Sequence, residues 1–70
     1  MRQAEMLRRL ARHGYEAQPV VARRRDLHLV GAWVRTMHAL KERGLARFGE
    51  VGGEVAGFIT PRGREVLEES

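Results

Sequence analysis

The chain has 70 residues, 43% apolar and 31% charged, with a formal net charge of +4, which suits one small domain near the lower size limit for a single apolar core. Cysteine is absent, and His13, His28 and His38 are not spaced as ligands, so a disulfide framework is excluded and no metal or other cofactor is expected. No apolar run approaches the ~18 residues of a membrane span, and "MRQAEMLRRL" is no signal peptide, so the expectation is a cytoplasmic protein with no membrane contact.

Residues 2–13 are predicted to form the first helix. Met6, Leu7, Leu10 and Ala11 make one apolar stripe, while Arg2, Glu5, Arg9 and Arg12 face outward. Glu5 precedes Arg8 and Arg9 by three and four residues, the favourable order for helical ion pairs. Gly14 is the natural stop. In "YEAQPVVARRRDLHL", Pro19 suits a first-turn position and allows a short helix over about 18–25. Val20-Val21 favours a brief strand instead, and periodicity does not decide between the two. Arg23, Arg24 and Arg25 form the densest basic cluster of the chain; a charge run of this kind is ordinarily solvated surface unless an anion is near.

The central helix is predicted over about 29–43. Val30, Trp33, Val34, Met37 and Leu40 share one apolar sector, with Arg35, Ala39 and Glu42 opposite and Ala32, Thr36 and His38 on the flanks. Trp33 is expected as a core anchor and Asp26 as the N-cap. The helix end is encoded more sharply. With Gly44 as the first residue past the cap, Leu40 and Leu45 occupy the two positions that touch in a Schellman stop. A hairpin follows over 45–60, in which Gly52-Gly53 supplies the positive φ angles of a two-residue turn. Pairing about that turn sets Val51 opposite Glu54, Phe48 opposite Gly57 and Ala46 opposite Ile59. One face then holds Ala46, Phe48, Val55 and Ile59, with Glu50 polar near the tip, and Arg47 lies on the other face beside Phe58. Gly49 and Gly57 are expected to weaken the strands. Thr60 as N-cap and Pro61 at the first helical position open a closing helix over 61–69.

Charge is divided unevenly. Residues 1–47 hold eleven Arg or Lys against four acids, a balance of +7, whereas residues 48–70 hold two Arg against five Glu, a balance of −3. Twelve of the thirteen cations are Arg, the better bidentate phosphate donor, although a GC-rich genome favours the same residue.

The order of helix, short helix, long helix, glycine stop, hairpin and closing helix resembles a winged helix-turn-helix domain, an α+β fold with a three-helix core, a two-stranded β-hairpin wing and a short C-terminal helix. The residues that carry the resemblance are Trp33, Met37, Leu40, Gly44 and Leu45 in "WVRTMHALKERGLAR" and Ile59, Thr60, Pro61 and Gly63 in "ITPRGREVL". They are similar to the recognition-helix and wing-closing segments of MarR-type and related bacterial or phage regulators, over about residues 21 to 67. The resemblance implies sequence-specific binding of double-stranded DNA by a small transcriptional regulator or a phage or plasmid DNA-binding protein. It puts Arg35 in the major groove, flanked by Ala32 and Thr36, with His28 near phosphate at the helix start. Arg23, Arg24 and Arg25 would approach the sugar-phosphate backbone, as would Arg47 at the wing base. A homodimer would double the footprint of so small a module.

An enzyme is not expected. The only serine is Ser70, no His–carboxylate pair is visible, and "GEVGGEVAG" lacks the Lys-Ser/Thr of a phosphate loop. The other reading is a winged helix used as a protein-interaction module, such as a phage-encoded inhibitor or assembly factor of host nucleic-acid machinery. The acidic wing tip of Glu50 and Glu54, the acidic closing helix and the donor-poor surface around Gly31 and Ala32 motivate it.

Overall fold

The computed structural model describes residues 2–18 and 27–69, the side chains of 27–30 excepted. The described residues form three helices and a three-stranded antiparallel sheet in the order α1 (Gln3–His13), β1 (Tyr15–Ala17), α2 (Leu27–Glu42), β2 (Ala46–Val51), β3 (Glu54–Ile59) and α3 (Pro61–Glu69). The fold class is therefore α+β. In the sheet, β3 lies between β1 and β2.

Each helix end has a local cause. Gly14 closes α1 at φ +82°, and Gly44 follows α2 at φ +75°. The amide of Gly44 donates to the Lys41 carbonyl at 2.9 Å and that of Leu45 to the Leu40 carbonyl at 3.0 Å. That pair of bonds defines the Schellman stop, and Leu40 and Leu45 are both buried behind it. Thr60 then joins three elements. Its hydroxyl donates to the Gly44 carbonyl at 2.7 Å and accepts from the Gly63 amide at 3.0 Å. Its own amide donates to the Leu45 carbonyl at 3.1 Å. One side chain therefore caps α3 and ties its start to the end of α2.

The hairpin has the expected register, with Val51 opposite Glu54, Phe48 opposite Gly57 and Ala46 opposite Ile59. The third strand is a correction to the two-stranded expectation. Tyr15, Glu16 and Ala17 pair with Phe58, Gly57 and Ala56, and the Gln18 amide continues the ladder to the Val55 carbonyl at 2.8 Å. Gln18 thus extends a strand rather than opening the helix expected over about 18–25. The rest of that helix, and the N-cap assigned to Asp26, lie outside the described residues.

Alternation divides the sheet. Glu16, Phe48, Gly57 and Ile59 face the helices, and Tyr15, Arg47, Gly49 and Phe58 face away. The core between helices and sheet comprises Met6, Leu7 and Leu10 of α1, Trp33, Met37 and Leu40 of α2, and Leu45, Ala46 and Ile59. Gly57, expected only to weaken its strand, has a packing role. A Cβ there would lie 2.6 Å from Met37 Cε and 2.7 Å from Sδ, so the glycine lets α2 seat against β3.

Candidate nucleic-acid interface

The outward surface of α2 follows from how the helix packs. Trp33, Thr36, Met37 and Leu40 are buried, while Arg35, His38, Lys41 and Glu42 are exposed and Gly31, Ala32, Val34 and Ala39 are half-buried. At ~100° per residue, Gly31, Arg35, His38 and Glu42 fall within one narrow arc pointing away from the core.

Thr36 does not belong to that surface, which corrects its expected place beside Arg35. It is 7% exposed, and its hydroxyl donates to the Ala32 carbonyl at 2.8 Å. Back-bonding of this kind satisfies the hydroxyl and lets a polar residue stand on a buried helical face. Ala32 is half-buried on the same flank and keeps only a partial share in the outer arc. His38 takes the place that Thr36 vacates. It lies one helical turn beyond Arg35, and its ring rests 5.0 Å from that of Phe48. Its i+3 spacing from Arg35 was the signal that would have identified it.

His28 lies in the first turn of α2, but its side chain is outside the description. Arg23, Arg24 and Arg25 lie outside the described residues altogether. The position of Arg47 is clear. Its guanidinium stacks on the Phe58 ring, 4.5 Å from the centroid, on the face of the sheet turned away from α2. This is the face that the hairpin register implies for Arg47, beside Phe58. On the α2 side, alternation gives the hairpin Phe48 and then Glu50. Phe48 contacts Trp33 edge-on at 6.2 Å and lies under the Lys41 ammonium at 5.8 Å.

A second charged region lies at the turn between α1 and β1. Arg9, Arg12, His13, Tyr15 and Glu16 line an open cleft of 230 Å³. Arg9 is ion-paired with Glu16, which reaches it from the helix-facing side of β1. Arg64 of α3 lies beside the same turn, its Nη2 3.5 Å from where a Cβ on Gly14 would stand. Among the described residues no group of three or more His, Asp or Glu could hold a metal ion, and no helix is long and apolar enough to cross a membrane. No protein-family model, curated protein or solved structure matches the chain in comparisons with known proteins.

Proposed function

We propose that the chain is a winged helix-turn-helix domain that binds double-stranded DNA, with α2 as the recognition helix, in a small transcriptional regulator or a phage or plasmid DNA-binding protein. The observation that carries this reading is the outward arc of α2. Arg35 is exposed in that arc, with the small residues Gly31 and Ala39 one helical turn before and after it. Small flanking side chains let a helix sit deep in the major groove, where one guanidinium can take both acceptors of a guanine edge. The sheet order and the Leu40–Gly44–Leu45 joint are compatible with a wing set against such a helix. Arg23, Arg24 and Arg25, close before α2 in sequence, would supply phosphate affinity.

The test is a titration of duplex fragments at several salt concentrations, comparing the chain with Arg35→Ala. Loss of a bidentate base contact costs ~1–3 kcal/mol and relaxes preference at one base pair, whereas loss of one phosphate contact lowers the salt slope by ~1. Absence of duplex binding at low salt would refute the proposal.

A specific observation favours the second reading, a protein-interaction module such as a phage-encoded inhibitor or assembly factor. The hairpin presents Glu50 on the α2 side and Glu54 on the other side of the tip, where a DNA-binding wing needs cations. Recovery of one stoichiometric protein partner, insensitive to nuclease, together with no duplex binding would establish that reading instead.

A further inference from the structure

The face of the sheet turned away from α2 carries a feature that duplex reading by α2 does not use. Tyr15, Phe58 and Arg47 form one cross-strand row, because Tyr15 and Arg47 both pair with Phe58 from opposite sides. The Arg47 guanidinium lies 4.5 Å from the Phe58 centroid, and the Phe58 and Tyr15 centroids are 5.6 Å apart. Two strand spacings make this row ~10 Å long. Gly49 makes room for the arrangement: a Cβ there would stand 2.6 Å from Phe58 Cε2 and displace the ring from its place over β2. Tyr15 remains 38% exposed at the open end.

The row runs into the cationic turn. Tyr15 also lines the 230 Å³ cleft with Arg12 and His13, and Arg64 lies against Gly14. Arg9 is neutralised there by Glu16. Arg12, His13 and Arg64 have no ion-pair partner among the described residues. The position of Arg12 and His13 in the last turn of α1 explains their presence through the helix dipole. It does not explain why an exposed tyrosine and a stacked arginine continue the same strip.

We infer that this strip, from Arg47 through Phe58 and Tyr15 to Arg12, His13 and Arg64, binds single-stranded nucleic acid. An unpaired base would stack on Tyr15, and its neighbouring phosphates would meet the cations at either end. The chemistry is complementary, because a single strand alternates π faces with anionic groups and so does this strip in the opposite sense. An acidic peptide would match the cations alone and leave the aromatic row unused. The surface is separate from the α2 arc, so the inference does not depend on duplex binding by α2.

The experiment measures the anisotropy of a short fluorescein-labelled oligo(dT), and of a duplex, at moderate salt. The proteins are the unaltered chain, Tyr15→Ala, Arg47→Ala and Arg35→Ala. Tyr15→Ala should weaken oligo(dT) binding at least ~5-fold, the lower range for loss of one base–aromatic stack. Arg47→Ala should weaken it as well, while Arg35→Ala leaves it unchanged. Failure of duplex binding with retained oligo(dT) binding would sink the α2 reading and leave this one standing. A photocrosslink from 5-iodouracil oligonucleotide to the unaltered chain, mapped by peptide mass spectrometry, should fall on Tyr15, which guards against a misfolded variant. No oligo(dT) binding, affinity in Tyr15→Ala and Arg47→Ala equal to that of the unaltered chain, a crosslink confined to α2, or displacement by poly-glutamate as readily as by unlabelled oligo(dT) would each overturn the inference.

Discussion

Gly63→Ala sets two opposing effects against each other, and the structure decides the sign. Gly63 sits inside α3, where alanine is favoured over glycine by ~1 kcal/mol on helix propensity alone. It is also buried. A Cβ at this position would stand 2.3 Å from the Leu45 carbonyl oxygen and 2.8 Å from Ile59 Cγ1. Ordinary carbon–oxygen contacts begin near ~3.3 Å, so α3 must retreat by about 1 Å. The oxygen cannot yield freely, because it accepts the Thr60 amide at 3.1 Å. Retreat of the helix also loosens Val66 and Leu67, which pack against the core. Overpacking costs ~1–3 kcal/mol and a weakened hydrogen bond ~1 kcal/mol. After the propensity gain, Gly63→Ala should be destabilised by ~1–3 kcal/mol, or ~5–20 °C in Tm for a domain of this size. Urea unfolding followed by Trp33 fluorescence measures it, since Trp33 is the only tryptophan and is 1% exposed. Gly31→Ala is the internal control. That glycine is also helical, but a Cβ would meet nothing within 4 Å, so the same substitution should stabilise by ~0.5–1 kcal/mol. A Gly63→Ala protein as stable as its parent would refute the packing of α3 on the Leu45 backbone.

Thr60→Val keeps the shape of the side chain but removes the donor to Gly44 and the acceptor for Gly63. It should cost ~1–2 kcal/mol in the same urea assay, while Thr60→Ser retains most of the stability. Gly57→Ala should be destabilising yet milder than Gly63→Ala, because the atoms in its way are the flexible tip of Met37 rather than backbone. Thermal melts of the two variants side by side check the order.

What was legible in the sequence was set by neighbours in the chain. The stop at Leu40–Gly44–Leu45 needs six residues and one positive φ. The Gly52-Gly53 turn fixes the register of the whole hairpin, because each pair follows from the one before it. Thr60 as a cap reads from its own segment too, although its bond to Gly44 does not. The parts that escaped depend on where elements meet. Three residues are too short for β1 to show alternation, and their pairing is decided by the otherwise open edge of β3. Thr36 is polar on a flank and reads as surface until tertiary packing buries that flank and the Ala32 carbonyl satisfies its hydroxyl. Gly57 and Gly63 look like weaknesses in a strand and a helix. Only the positions of Met37 and Leu45 turn them into close contacts.

If α2 holds a duplex as proposed, the division of charge between the two faces limits how it can do so. On α2 and at its end, the described cations are Arg35, Lys41 and Arg43. Arg43 is already engaged, donating to the Gln3 side-chain oxygen at 2.6 Å, and Glu42 stands between Lys41 and Arg43. Arg47 is on the opposite face and Glu50 on the near one, so the hairpin adds repulsion rather than a phosphate contact. Arg35 is assigned to a base, which leaves Lys41 and the three arginines at 23–25 for phosphates. With about four contacts, the slope of log K against log salt should be no steeper than ~−4. A slope of that size gives a single copy modest affinity, and specific binding would then require two copies on adjacent half-sites. The same salt titration distinguishes the cases: two copies roughly double the slope and make binding cooperative in protein concentration. A steep slope without such cooperativity would mean that phosphates are held from some other part of the surface, and that α2 is not the recognition helix.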